Sequence, residues 1–268
     1  YDVYSLLAAN LFGVAYLMAD DRIGEWPCPF ERGGYVVELP EDFHKVFATC
    51  QGYHIQIDTR GDHAFDATGL GRLHRIGAPS ELALSSSIVS VPKYDVAVPS
   101  FCRSVAIGPG WQDTKGEWHY LADYGDKITS VAVERIKETV EEVIFRVIYS
   151  GKLGSARSLI EHFRLSHKGL EIQDELQGDV QAVRGCVPLL YTDGLIPADI
   201  ERQPWGFRVR YAGWIYEVLC RESDLKMGIE EGLAPNRNGI YRIAFFEKPG
   251  QRIRYELRLV EEKGHSVL

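Results

Sequence analysis

The chain has 268 residues, of which 45% are hydrophobic and 25% charged, so its composition is that of a folded domain and excludes disordered and fibrous classes. Its 38 acidic and 30 basic residues give a formal net charge of −8, which repels phosphate backbones, so we expect no nucleic-acid partner. The five cysteines include no CxxC pair, which excludes a zinc ribbon or thioredoxin-type motif.

The N-terminal segment is the one strongly helical stretch. Residues 3–18 are rich in Ala and Leu and contain no charged residue. A helix of this length spans about 24 Å, which is less than the ~30 Å hydrocarbon layer, so we expect no membrane partner. A helix that is apolar all round is normally buried in protein, and we therefore predict a buried terminal helix over residues 1–23, separate from a second domain over 24–268.

After Pro29 the hydrophobic pattern changes to a period of two. Arg and Glu alternate with Ile, Tyr and Leu over 253–259, which is typical of an antiparallel strand with one polar face. More than ten such runs follow without helical crossovers, so the predicted fold class is mainly β, a large antiparallel β-sandwich. The main predicted strands are 35–39, 53–57, 81–85, 103–107, 129–135, 142–149, 159–165, 170–176, 187–191, 207–211, 214–219, 241–246 and 253–259.

Glycine and proline mark the turns between these strands. Gly108-Pro109-Gly110 is predicted as a turn, and Lys248-Pro249-Gly250-Gln251 as the turn of a hairpin.

The segment 52–75 is the densest mixture of acidic and basic side chains in the sequence. Alternation along the strand 53–57 places His54, Gln56 and Asp58 on one polar face, and the glycine-rich turn after it presents His63 and Asp66. Titratable groups in a loop at the end of a rigid strand are typical of a binding or catalytic site.

Several stretches of sequence resemble the heparinase II/III-like polysaccharide lyases. They are GDHAFDATGLGRLHR at 61–75, GAPSELALS directly after it, and SLIEHFRLSHKGLEIQDELQGD at 158–179. The resemblance implies a β-supersandwich of the galactose-mutarotase-like type, preceded by an α/α toroid of which the terminal helix would be the last element. The activity that it implies is β-elimination on uronic-acid-containing polysaccharides.

This chemistry requires a group that neutralises the substrate carboxylate, a base for the C5 proton and an acid for the departing O4. The resemblance points to His63 as the base or carboxylate partner, and Tyr53 is the candidate proton donor. Arg60 and Arg72 would clamp the carboxylate with bidentate hydrogen bonds. The predicted substrate-binding residues are His54, Gln56, Asp58, Arg60, Arg72 and His74.

The same resemblance bears on cofactors. Some members of the family bind zinc through an Asp on the strand that follows the motif, where this chain has Leu84-Ser85-Ser86. We therefore predict no cofactor. If a divalent metal such as zinc is bound, its ligands would be His63, Asp66 and His74.

Three functions remain open at this point, because a fold does not decide among them. The chain is the sandwich portion of a lyase, a non-catalytic carbohydrate-binding or scaffolding sandwich, or a mutarotase-like epimerase that uses Glu171, Asp174 and Glu175. The expected partner is an acidic polysaccharide or oligosaccharide, and the apolar helix adds the expectation of a homodimer. We expect a soluble protein, cytoplasmic or secreted to the periplasm or beyond.

Overall fold

The computed structural model describes residues 2–20, 22–24, 26–96, 98 and 101–262, without the side chains of residues 2–4. It is an antiparallel β-sandwich of three sheets with an N-terminal helix, which confirms the predicted fold class. The helices are α1 (Asp2–Met18) and the single turn α2 (Pro29–Arg32). Short 3-10 turns lie at Leu121–Asp123 and Gly125–Lys127.

The first sheet is a four-stranded meander whose strands follow one another in chain order. Its strands are β1 (Tyr35–Leu39), β2 (Lys45–Cys50), β3 (Tyr53–Asp58) and β4 (Gly69–Arg75). Alternation along β3 buries Tyr53, Ile55 and Ile57 on the inner face and turns His54 and Gln56 to the outer face. The sequence pattern therefore identified the two faces of this strand correctly.

The other strands form two larger sheets. They are β5 (Gly108–Asp113), β6 (Trp118–Tyr120), β7 (Ile128–Glu138), β8 (Glu142–Leu153), β9 (Ala156–Ser166), β10 (Gly169–Gly178), β11 (Val180–Thr192), β12 (Asp199–Gln203), β13 (Gly206–Tyr211), β14 (Trp214–Leu219), β15 (Lys226–Ile229), β16 (Ala234–Pro235), β17 (Ile240–Pro249) and β18 (Arg252–Glu261). The eight-stranded sheet has the order β12-β13-β14-β18-β10-β9-β8-β7. The six-stranded sheet has the order β15-β17-β11-β5-β6, with β16 beside β17.

The eight-stranded sheet packs against both of the others. β7, β8 and β9 contact β1 and β2 of the four-stranded sheet, whereas β10 and β18 contact β11 of the six-stranded sheet. The core between the layers is rich in aromatic side chains, including the stacked pair Phe145 and Phe163, whose ring centroids lie 5.0 Å apart. Burial of rings of this size is a major source of sandwich stability.

The helix α1 forms as predicted, but it is not buried. Phe12, Tyr16 and Leu17 are 76%, 82% and 80% exposed, and no other described element packs along the helix. The prediction of a buried helix is wrong because each sheet already covers its inner face with another sheet and leaves α1 no partner within the described residues. No described helix is long and apolar enough to cross a bilayer. The division into 1–23 and 24–268 stays a prediction.

Three local predictions are also wrong. Gly108-Pro109-Gly110 begins β5 and pairs with β11, so it is extended strand and not a turn. Lys248–Gln251 joins strands of different sheets, because β17 pairs with β11 while β18 pairs with β10 and β14. The segments 81–85 and 103–107 contribute only isolated bridges, such as Ile88 with Val105 and Leu73 with Leu84.

Candidate functional site

A polar cleft of about 290 Å³ lies at the end of β3, where sequence analysis placed the site. Strands β3 and β4 form its floor, and three loops at 59–68, 85–87 and 236–239 form its walls. The residues that line it are Gln56, Asp58, Asp66, Gly71, Arg72, Ser85, Ser86, Ser87, Arg237 and Asn238.

The floor of the cleft depends on a β-bulge in β4. The pairing of β3 with β4 shifts between Gln56 and Ile57, which leaves Gly71 without a partner across the ladder. A Cβ atom at Gly71 would lie 2.9 Å from Oδ2 of Asp58 and would fill the floor. Glycine at this position therefore keeps the carboxyl group of Asp58 accessible from the cleft.

Two carboxylates in the cleft share one lysine. Nζ of Lys45 bonds to Oδ1 of Asp58 and lies 2.7 Å from Oδ2 of Asp66. Burial, together with the negative charge of Asp66, raises the pKa of Asp58 to about 6, although the positive charge of Lys45 opposes this shift. The cleft therefore changes its net charge within the physiological range of pH.

Two arginines at the cleft have no carboxylate partner. Arg72 donates a hydrogen bond from Nε to the carbonyl oxygen of Ser85 at 2.9 Å. The guanidinium of Arg237 lies over the rings of Tyr94 and Phe65, 4.6 and 5.7 Å from their centroids. Neither arginine forms an ion pair with any carboxylate in the part of the chain that the structure describes, so the terminal nitrogens of both are available to an acidic ligand.

Sequence analysis missed Arg237 and the serine run. Asn236 donates from Nδ2 to the carbonyl oxygen of Ser86, and Asn238 donates from Nδ2 to Oγ of Ser85, each at 2.8 Å. These bonds hold the 236–239 loop against the cleft. A signal was present, because two of the three asparagines in the chain lie at 236 and 238.

The structure brings Gln56, Asp58 and Arg72 together, but not the other predicted binding residues. Arg60 lies at a separate depression of about 160 Å³ beside His44. It therefore does not reach the cleft that contains Arg72.

The histidines His54 and His74 pair across β3 and β4 beneath the ring of Phe30. Burial, together with the charge of Arg72, lowers the pKa of His54 to about 4 and also lowers the pKa of His74. Both rings are neutral at pH 7, so neither supplies positive charge for an acidic sugar.

Tyr53 lies on the inner face of β3 and is buried. Its hydroxyl donates to the carbonyl oxygen of Leu259 and accepts from the N–H of Leu259, both at 3.0 Å. The structure does not support the predicted role of proton donor, because this hydroxyl is saturated and faces away from the cleft.

His63 lies in the loop that bounds the cleft, but its ring is turned away from the cleft toward the 3-10 turn at Gly125–Lys127, where Nε2 is buried. The carboxylate of Asp62 accepts the N–H groups of Ala64 and Phe65 at 2.8 Å, which fixes the turn. Nε2 of His63 then lies 4.0 Å from Oδ1 of Asp126 and does not line the cleft. The predicted role as base therefore lacks geometric support.

The three predicted metal ligands do not converge. Asp66 bonds to Lys45, His74 lies under Phe30, and His63 faces Asp126. Within the described residues, the group of side chains close enough to share a metal ion is Asp113, Glu117 and His119, far along the chain from the cleft.

The residues suggested for an epimerase do not converge either. Asp174 is buried on the inner face of β10, whereas Glu171 and Glu175 lie on its outer face. Those two glutamates pair with Arg254 and Arg252 at 3.3 and 3.5 Å.

The fold is shared with solved carbohydrate-active enzymes. Heparan sulfate lyase HepC from Pedobacter heparinus superposes with a TM-score of 0.60 at 10% identity over 97% of this chain and 41% of its own. A heparinase III superposes with a TM-score of 0.55 at 11% identity over 98% of this chain and 41% of its own. The chain therefore shares the fold of these two structures. The resemblance found in the sequence therefore holds at the level of the fold.

A glycosidase is similar over a smaller part. The alpha-N-acetylgalactosaminidase NagBb from Bifidobacterium bifidum, in its GalNAc complex, has a TM-score of 0.50 at 15% identity over 82% of this chain and 36% of its own. The chain thus spans about two fifths of the length of the structures that it matches. No protein-family model and no curated protein matches the sequence.

Proposed function

We propose that the chain is the sandwich portion of a polysaccharide lyase that acts on uronic-acid-containing glycans, and that the cleft holds the acidic sugar. The observation that carries this proposal is the pair of arginines, Arg72 and Arg237, which face the cleft without a carboxylate partner among the described residues. Lys45 is already paired with Asp58 and Asp66. A uronate carboxylate is the ligand group that the two remaining cations fit.

The chemistry of elimination explains why such cations matter. Removal of the C5 proton places its electron pair next to the carboxylate, the C4–O4 bond then breaks, and a double bond forms between C4 and C5 as O4 takes up a proton. Guanidinium groups at the carboxylate stabilise the charge that develops there, which is a large term in catalysis of this kind. Arg72 and Arg237 supply that stabilisation in the proposal.

A second candidate function is binding without catalysis. Among the described residues, no tyrosine or histidine side chain lines the cleft, so the groups that move protons are not part of it. An acidic-glycan-binding sandwich needs the arginines but not those groups.

Formation of an unsaturated product tests the proposal. With a panel of uronic-acid polysaccharides, we expect ultraviolet absorbance of the unsaturated uronate to rise, and Arg72→Gln to slow this rise at least about 10-fold. The matched control is Arg208→Gln, whose arginine pairs with Glu217 on the eight-stranded sheet. Binding without product would favour the second candidate function. The absence of both binding and product would contradict both candidate functions.

Asp58 predicts a pH dependence of binding. Its pKa is raised to about 6, so the carboxyl group is negative above that pH and repels an acidic sugar, and it is neutral below it. Affinity for a uronate oligosaccharide should rise about 3- to 10-fold between about pH 7.5 and about pH 5. Calorimetric titration measures this, and Asp58→Asn should abolish the dependence. Asp126→Asn, an exposed carboxylate outside the cleft, should keep it.

A further inference from the structure

The outer face of the eight-stranded sheet carries a trough of about 590 Å³, remote from the cleft. It forms where β14 ends, since β14 pairs with β18 only as far as Leu219 opposite Glu256. Residues 252–255 of β18 therefore lack a strand neighbour on that side. Oε1 of Glu222 accepts a hydrogen bond from the backbone N–H of Arg254 at 3.1 Å. This bond satisfies the donor that lacks a strand partner but leaves the gap beside β18 open.

Three arginines line this trough, and their side chains donate no hydrogen bond to any residue that the structure describes. Arg221, Arg252 and Arg254 have carboxylate neighbours, but at N–O distances of 3.7, 3.5 and 3.3 Å. Charge-assisted hydrogen bonds of guanidinium groups are typically about 2.7–2.9 Å long. More than half of each of these side chains is exposed, so a ligand in the trough can reach their guanidinium groups.

Neighbouring arginines on the same face behave differently. Each of them donates a side-chain hydrogen bond to a glutamate: Arg146 to Glu134, Arg164 to Glu142, Arg208 to Glu217, Arg210 to Glu201 and Arg258 to Glu256. The cross-strand ladder on this face thus satisfies its arginines except around the trough. The three arginines without a side-chain hydrogen bond lie where the surface is recessed beside the end of β14.

The charges of the trough indicate the kind of ligand. Its lining includes four basic side chains and two acidic ones, together with the amide of Gln173. Guanidinium groups bind carboxylate or sulfate, and the glutamates and the amide accept hydrogen bonds from hydroxyl groups. A polyphosphate chain has no comparable set of hydroxyls to donate to the glutamates and the amide.

We propose that this trough is a second, non-catalytic site for an acidic saccharide, held by Arg221, Arg252 and Arg254. Its volume falls in the range of roughly 300–1,000 Å³ that is usual for small-ligand sites. The site is separate from the cleft at Asp58, so it stands even if the chain has no lyase activity.

A titration in a variant without the cleft cations tests the proposal. The full chain with Arg72→Gln and Arg237→Gln is titrated calorimetrically with a size-defined heparin hexasaccharide, at low and at physiological salt. We expect one hexasaccharide bound per chain, and the further changes Arg252→Gln and Arg254→Gln should weaken binding at least about 10-fold. The matched control, Arg146→Gln with Arg208→Gln, removes equal charge from the same face and should change affinity less than about 2-fold.

Three outcomes would overturn the proposal. They are equal losses in the trough and control variants, absence of binding to the cleft-silenced chain, and equally tight binding of a single-stranded oligonucleotide of the same charge. Equal losses would mean that binding depends on the total charge of this sheet face and not on the trough. Equally tight oligonucleotide binding would mean that the trough binds any polyanion and does not select an acidic saccharide. Loss of the proposed lyase activity alone would leave the trough unaffected, so the two proposals fail separately.

Discussion

The free energy of unfolding of the chain is expected to fall steeply as the pH rises above the ordinary carboxyl pKa of about 4, because two carboxyl groups are buried in the sandwich core. Glu161 of β9 and Asp174 of β10 are directly opposite each other and fully buried. Neither has an ion-pair partner among the described residues, and the hydroxyls of Tyr149 and Tyr255 are their polar neighbours. Gly108 of the facing sheet leaves room for Glu161, since a Cβ there would lie 3.2 Å from Oε1.

The sign of this dependence follows from the direction of the shifts. Burial raises the pKa of Glu161 and, with the charge of Glu161 added, raises the pKa of Asp174 well above its usual value. The contribution of the two carboxyl groups to the free energy of unfolding is fully present below the ordinary carboxyl pKa of about 4, where both groups are protonated in the folded and in the unfolded state. It is lost as the pH rises toward the raised values, at about 1.4 kcal/mol per pH unit for each proton that the folded state retains.

Urea unfolding between about pH 5 and about pH 9 measures this effect. Glu161→Gln should reduce the slope of the free energy of unfolding against pH by up to about 1.4 kcal/mol per pH unit, which corresponds to one retained proton. The variant should therefore be more stable than the wild type at alkaline pH. Glu175→Gln is the matched control, because Glu175 follows Asp174 on the same strand but lies on the outer face beside Arg252. Its profile should run parallel to that of the wild type. Parallel profiles for wild type and Glu161→Gln would contradict the account.

The second large effect is expected at the cleft. Removing both cations by Arg72→Gln with Arg237→Gln should weaken binding of a uronate oligosaccharide at least about 100-fold, since each charge-assisted hydrogen bond contributes about 1.5–3 kcal/mol. Each single variant should lose about 10-fold. Arg208→Gln should bind like the wild type, and circular dichroism would check that all variants remain folded.

Arg72→Lys adds a sharper control, because lysine keeps the charge but lacks the planar pair of donors. We expect it to restore only part of the affinity that Arg72→Gln loses. Full recovery would mean that the cleft responds to charge alone, and no loss in Arg72→Gln would exclude this arginine from the site.

Sequence reasoning succeeded where periodicity alone decides the outcome. The alternation around Ile55 and Ile57 placed Gln56 and Asp58 on one polar face, and the structure has them in the cleft. Arg72 followed from the same segment, because β4 is the next strand along the chain and pairs directly with β3. Local pattern and short connections were sufficient for these residues.

Sequence reasoning failed where segments that are distant along the chain meet in the fold. Arg237 is separated from Arg72 by most of the sandwich sequence, and the pairing of β16 with β17 and the bonds of Asn236 and Asn238 bring its loop to the cleft. The turn at 248–251 has hairpin chemistry, but the strands on either side belong to different sheets, which no local signal reveals. The exposure of α1 depends on how completely the sheets cover each other, which is also a property of the assembled fold.

The central claim is that the carboxylate of an acidic sugar is held by Arg72 and Arg237, and a thermodynamic cycle tests it most directly. Calorimetric affinities are measured for the wild type and the double Gln variant, with a uronate oligosaccharide and with the same oligosaccharide after reduction of its carboxyl groups to alcohols. The account predicts a loss of at least about 100-fold for the acidic sugar and less than about 3-fold for the reduced one. Equal losses for the two sugars, or none for either, would contradict it.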